Sequence, residues 1–96
     1  MIVHIALFKW KIGIPDDVIE MAMNDVRALK TTHKDIIDIR CGKNFSKWNE
    51  GFTHAVIVTA KTHAALDAYR KHPKHTDVAD RIDKMEEKSI GFDFED

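Results

Sequence analysis

Hydrophobic positions alternate from the start of the chain. In residues 2–10 one face reads Ile2, His4, Ala6, Phe8, Trp10 and the other reads Val3, Ile5, Leu7. Both faces are largely apolar, the pattern of a strand covered on two sides. The stretch "GIPDD" interrupts it. Pro15 suits the first turn of a helix, and Asp16 and Asp17 place negative charge at the positive end of its dipole. Val18, Ala22, Val26 and Leu29 then recur at helical spacing, with Ile19 and Met23 beside them. The helix is expected to end between Lys30 and His33, where two threonines weaken its propensity.

"DIIDIRCGKNF" predicts a second strand from Ile36 to about Lys43, "SKWNEG" a polar loop, and "FTHAVIVTA" a third strand with Phe52, His54, Val56 and Val58 on one face. The loop length predicts an antiparallel hairpin. Thr62 is placed to cap a helix running through Tyr69 and Arg70. Pro73 ends that helix or restarts it, because proline cannot continue the backbone ladder and constrains His72 before it. A further helix is expected over 73–87, with Val78, Ala79, Ile82 and Met85 on one face. "SIGFDFE" closes the chain as a fourth strand in which Ile90, Phe92 and Phe94 alternate.

Strand, helix, strand, strand, helix, strand is the ferredoxin-like βαββαβ order. It predicts an α+β fold, a four-stranded antiparallel sheet with helices on one face. Helices on one face leave the other bare, yet the first and third strands are apolar on both. A bare apolar face of that size is rare on a soluble monomer. A second copy of the same sheet covers it most simply, because an isologous contact uses one surface twice. The expectation is a single domain over residues 1–96 that forms a homodimer, its two sheets making a dimeric α/β barrel.

Composition changes this picture little. The chain has 96 residues, 44% hydrophobic and 32% charged, with a formal net charge of -1. No basic block offers a surface to nucleic acid or an anionic membrane, so neither is an expected partner. Cys41 is the only cysteine, which excludes an internal disulfide. The apolar start carries His4, Lys9 and Lys11, unlike a signal peptide or a membrane span. The cytoplasm is the expected compartment.

Candidate chemistry gathers in "AYRKHPKH". With Pro73 at the first helical position, His72 is the cap and His75 falls in the first turn, on the stripe of Val78 and Ile82 that faces the sheet. Burial and the helix N-terminus both disfavour a charged imidazole, so His75 is a candidate general base. Tyr69 is a candidate hydrogen-bond donor to the oxygen of an enolate. His4 shares a face with Ala6 and Phe8, and His54 with Val56. If those faces meet the helices, His4, His54, Tyr69 and His75 ring an apolar pocket for a small hydrophobic molecule, with His72 at its border. Each of these residues also has a plainer role. His75 and His72 serve equally well as helix-start residues, His4 and His54 as hydrogen-bonded core histidines, and Tyr69 as a core aromatic. The pair His72-x-x-His75 has zinc-ligand spacing, but Pro73 turns the rings apart and no Cys or carboxylate completes a set. No metal or cofactor is expected.

"HIALFKWK", "DIRCGKNFS", "GFTHAVIVT", "AYRKHPKH" and "FDFE", in that order over nearly the whole chain, resemble the stress-responsive dimeric α/β barrel domain family. The Tyr-x-x-His-Pro-x-His block and the Gly-aromatic-Thr-His strand start are the most specific pieces. The resemblance implies the same homodimeric barrel. One plant member is a polyketide cyclase that works by an intramolecular aldol step. By that resemblance Tyr69 and His75 are the catalytic pair, His4 and His54 are pocket histidines, and Met23 and Val26 stand where the cyclase has tunnel aromatics, with Glu86 in place of a tryptophan. The activity implied in this way is that of a cofactor-free lyase or cyclase. The alternatives are a non-catalytic stress-associated or ligand-binding domain and, by analogy with related barrels, a cofactor-independent monooxygenase. The resemblance also implies a hard cation held by the backbone carbonyls of Lys30, His33 and Ile36, which side-chain chemistry leaves open.

Overall fold

The computed structural model describes residues 1–96. Its elements are β1 (Ile2–Trp10), α1 (Asp16–Ala28), a 3₁₀ turn (Leu29–Thr32), β2 (Ile36–Lys43), β3 (His54–Ala60), α2 (His63–Lys71), α3 (Pro73–Met85) and β4 (Glu86–Glu95). The strands form one antiparallel sheet in the order β2-β3-β1-β4. Four antiparallel strands and three helices make the ferredoxin-like fold that the element order predicts.

Local chemistry sets most boundaries. Thr62 caps α2, its hydroxyl oxygen accepting the Ala65 N–H at 3.1 Å. His72 stands extended between α2 and α3, and its Nδ1 accepts the Lys74 N–H at 3.1 Å. Pro73 therefore opens a new helix rather than kinking an old one. Pro15 is the N-cap of α1, one residue outside the helix, and Asp16 and Asp17 form its first turn. The buried stripe of α1 runs through Ile19, Ala22, Met23 and Val26, and Val18 lies off it, 39% exposed.

Two ends differ from the sequence reading. β4 begins at Glu86, three residues earlier than the apolar alternation of "SIGFDFE" indicates. Trp10 pairs with Glu86 across a bulge, and Lys11 N–H donates to the Met85 carbonyl at 2.9 Å. Pairing with β1 overrides the helical propensity of Glu86, Glu87 and Lys88. At β3, Phe52 and Thr53 belong to the hairpin loop, where the Phe52 N–H bonds back to Asn49. Gly51 in that loop has φ +84 and lies against the Lys9 side chain, a backbone only glycine takes without strain.

The core lies between the helices and one sheet face. Val58 and Ala60 of β3 are 0% exposed and Met23 of α1 is 1% exposed. The molecule is 17 Å across its thinnest axis, a sheet plus one helix layer. The other sheet face is bare. Across the β1–β4 ladder Val3 faces Phe94, Ile5 faces Phe92 and Leu7 faces Ile90. Phe92 is 60% exposed, and its ring stands edge-on to Phe94 with centroids 6.1 Å apart. The chain exposes 6246 Å². A monomer of this mass is expected to expose about 5,700 Å², so the chain exposes more than a closed monomer of its size.

Candidate functional site

The register of β1 and β3 turns His4, Ala6 and Phe8 to the helix side, with Val56 opposite Ala6. Over them stand Tyr69 of α2, His75 and Val78 of α3, and Val26 of α1. They enclose a cavity of about 100 Å³. A dry engineered cavity of about 150 Å³ holds benzene, so this smaller one seats a short chain or part of a ring and leaves the rest of a ligand at its mouth. The polar residues on its wall are His4, Tyr69, His75 and Asp83.

His75 and Tyr69 meet edge to face, with ring centroids 4.7 Å apart. Burial lowers the pKa of His75, the neighbouring His4 and Arg70 lower it further, and a hydrogen bond with the Arg70 backbone opposes them. The ring is thus neutral at pH 7, the form that accepts a proton. Tyr69 is 2% exposed, and burial pushes its pKa up to about 12. Its hydroxyl keeps its proton and finds no partner within the chain, yet it is not sealed off. It is free to donate to a ligand.

Sequence reasoning missed the partner of His4. Asp93 of β4 lies opposite His4, and Asp93 Oδ1 is 2.5 Å from His4 Nδ1. Arg70 Nη2 reaches Asp93 Oδ2 at 2.8 Å. Bonds from His4 and Arg70 hold the Asp93 carboxyl below its ordinary pKa, so it is ionised. An ionised carboxylate only accepts, so His4 Nδ1 donates to it, and Arg70 Nη2, 3.1 Å from the same nitrogen, spends its hydrogen on Asp93 Oδ2. The signal was present as alternation. Asp93 sits between Phe92 and Phe94, hence on the opposite face, but only the β1–β4 register shows which residue it meets.

Three residues expected at the pocket lie elsewhere. His54 is on the helix side but sealed at the far end of its row, 6% exposed. Trp10 Nε1–H donates to its Nδ1 at 2.9 Å, and its Nε2 faces Glu20 Oε1 at 3.6 Å. Burial lowers its pKa against the pull of Glu20. Met23 is core, its side chain closed in rather than lining the cavity. His72 is occupied as the α3 cap, its Nδ1 accepting the Lys74 N–H. Ala6, Phe8, Val56 and Val26 do line the cavity. Cys41 bonds to the Met23 carbonyl at 3.7 Å, and burial pushes its thiol up, away from nucleophile duty. In the segment after α1 the His33 carbonyl accepts the Ile36 N–H at 3.2 Å, so it already serves the chain.

Residues 2–96 match the stress responsive A/B barrel domain family. None of the curated proteins compared with the chain matches it. Among solved structures, a protein of Arabidopsis thaliana superposes with a TM-score of 0.91 at 22% identity, covering 100% of this chain and 95% of that one. A dimeric ferredoxin-like protein of unknown function from Thermobifida fusca gives 0.86 at 22%, covering 97% and 88%. The hydroxynitrile lyase of Passiflora edulis gives 0.88 at 18%, covering 97% and 90%. At these identities the likeness is one of fold.

Proposed function

The chain belongs to the stress responsive A/B barrel domain family, and we propose that its residues 1–96 act as one domain, a homodimer that performs cofactor-free proton-transfer chemistry of the lyase or cyclase kind on a small hydrophobic carbonyl compound. The observation that carries this reading is the meeting, in one apolar cavity, of a neutral His75 and an unpartnered Tyr69 hydroxyl.

The step is a proton abstraction. A ring nitrogen of His75 takes the proton from the carbon beside a carbonyl, and the C–H electron pair moves into an enolate. Tyr69 O–H, still protonated, donates to the enolate oxygen and stabilises its charge. The enolate then attacks a second carbonyl in the same molecule, or is reprotonated, with the imidazolium of His75 returning its proton. His4, held through Nδ1 by Asp93, stands on the same cavity wall. A lyase occurs on the same fold in the hydroxynitrile lyase of Passiflora edulis. The homodimer is supported by the bare apolar face of β1 and β4 and by the dimeric protein of Thermobifida fusca. No helix is long and apolar enough to cross a membrane.

The test is hydrogen–deuterium exchange of phenylacetone in D₂O, followed by NMR. The protein accelerates exchange beside the carbonyl, and His75→Ala removes the acceleration while the chain stays folded. Equal rates with wild type and His75→Ala overturn the catalytic reading and leave ligand binding without turnover.

A further inference from the structure

We infer that ligands enter the cavity through a slot between α3 and β4, that Gly91 keeps this slot open, and that it admits compact uncharged molecules and turns away carboxylates. The inference rests on the proposed reading of the cavity as a ligand site.

One flank of α3 is tied to α1, where Arg81 Nη1 reaches Asp25 Oδ2 at 2.8 Å. His75, Ala79 and Asp83, spaced four apart, occupy the other flank and border the cavity. That flank looks over the β1–β4 edge of the sheet, yet α3 packs mainly on α1, α2 and the 3₁₀ turn. The helix-side residues of β4 are Ser89, Gly91 and Asp93, opposite Phe8, Ala6 and His4, and all three are exposed. On β3 the corresponding His54, Val56 and Val58 are buried. The helix layer thus covers β3, and α3 stops short of β4.

Gly91 has no backbone reason to be glycine. Its φ is not positive, and a Cβ added there meets no atom within 4 Å. Glycine inside a strand weakens it by losing a packing side chain. What it leaves here is space, beside the cavity-lining Ala6. The rim is acidic. Asp83 stands at the mouth with Glu86 beside it, and burial and Asp83 raise the pKa of Glu86. The nearby cation, Arg70, is engaged by Asp93. An incoming carboxylate meets like charge and no free partner.

The experiment titrates phenylacetone, and the nearly isosteric phenylacetate, into isotope-labelled protein and reads the resonances of Tyr69 and His75. Phenylacetone is expected to shift both. Gly91→Val and, from the helix wall, Ala79→Leu each fill the slot and weaken its binding by about tenfold or more, the range a pocket loses to one misplaced aliphatic group. Amide shifts elsewhere confirm the fold of each variant. Phenylacetate binds about tenfold more weakly than phenylacetone even to wild type. Unchanged affinity in both variants overturns the slot while the cavity reading stands. Equal binding of the two probes overturns the charge selection. No response of wild type to phenylacetone overturns the slot and the cavity reading together.

Discussion

Asp93 grips His4 by its Nδ1 at 2.5 Å, across a strand pair whose two residues stand 89 positions apart in the chain. The carboxylate favours the proton on Nδ1 of His4. Asp93→Asn removes the charge that holds Nδ1–H. The ring nitrogens of His4, read by ¹⁵N NMR, are expected to shift from the Nδ1–H form toward a mixture. Exchange of phenylacetone slows by about 10- to 100-fold if His4 takes part, the usual cost of losing an orienting partner. An unchanged His4 spectrum would contradict the assignment.

Both His54 and His75 are held below their ordinary pKa, mainly by burial. The unfolded chain therefore binds protons in a range where the folded chain does not. Stability is full above the unfolded value of about 6.5 and falls as pH drops from there toward the depressed folded values. Thermal unfolding at pH 7 and pH 5 checks the sign, and Tm is expected to be lower at pH 5. Catalytic exchange falls over the same acid limb as His75 protonates. A His75 titration midpoint above 6.5 in NMR would sink this account.

Phe92 is 60% exposed on the bare sheet face, opposite Ile5. A glutamate there would be buried unpaired against a second sheet. Phe92→Glu is expected to convert a dimer to a monomer in sedimentation velocity, with the far-ultraviolet circular dichroism kept. A wild-type chain that sediments as a monomer at micromolar concentration removes the dimer proposal.

Met23 separates core from pocket. At 1% exposure it is packed rather than ligand-facing. Met23→Ala is expected to destabilise the fold by about 2–5 kcal/mol, the range for buried methionine truncation. Chemical denaturation measures it. A loss well under 1 kcal/mol, with enlarged ligands newly accepted, would return Met23 to the cavity wall.

The site was half legible in the chain. His4, Tyr69 and His75 are brought to one cavity, as alternation and the Pro73 break indicate. His54 shares their face, but Trp10 folds over it, and nothing in a strand's alternation says where along its row a residue becomes sealed. Met23 lies on the right helix, turned inward by the true phase of the buried stripe. Asp93 and Gly91 read as the polar and small positions of an amphipathic strand, with no local mark of their neighbours.

What the sequence determined by itself is the kind and order of the elements, the break between α2 and α3, and the excess of apolar surface on the sheet. These arise from periods of two and 3.6 and from proline and cap chemistry, all of which act within a few residues. Only the tertiary structure decided that β4 is an edge strand beside β1, that its first residues leave the helix for the sheet, and that His4 meets Asp93 while Gly91 borders an uncovered slot. Register between distant strands and the reach of one helix over a sheet are collective results of packing, and no short stretch of chain encodes them.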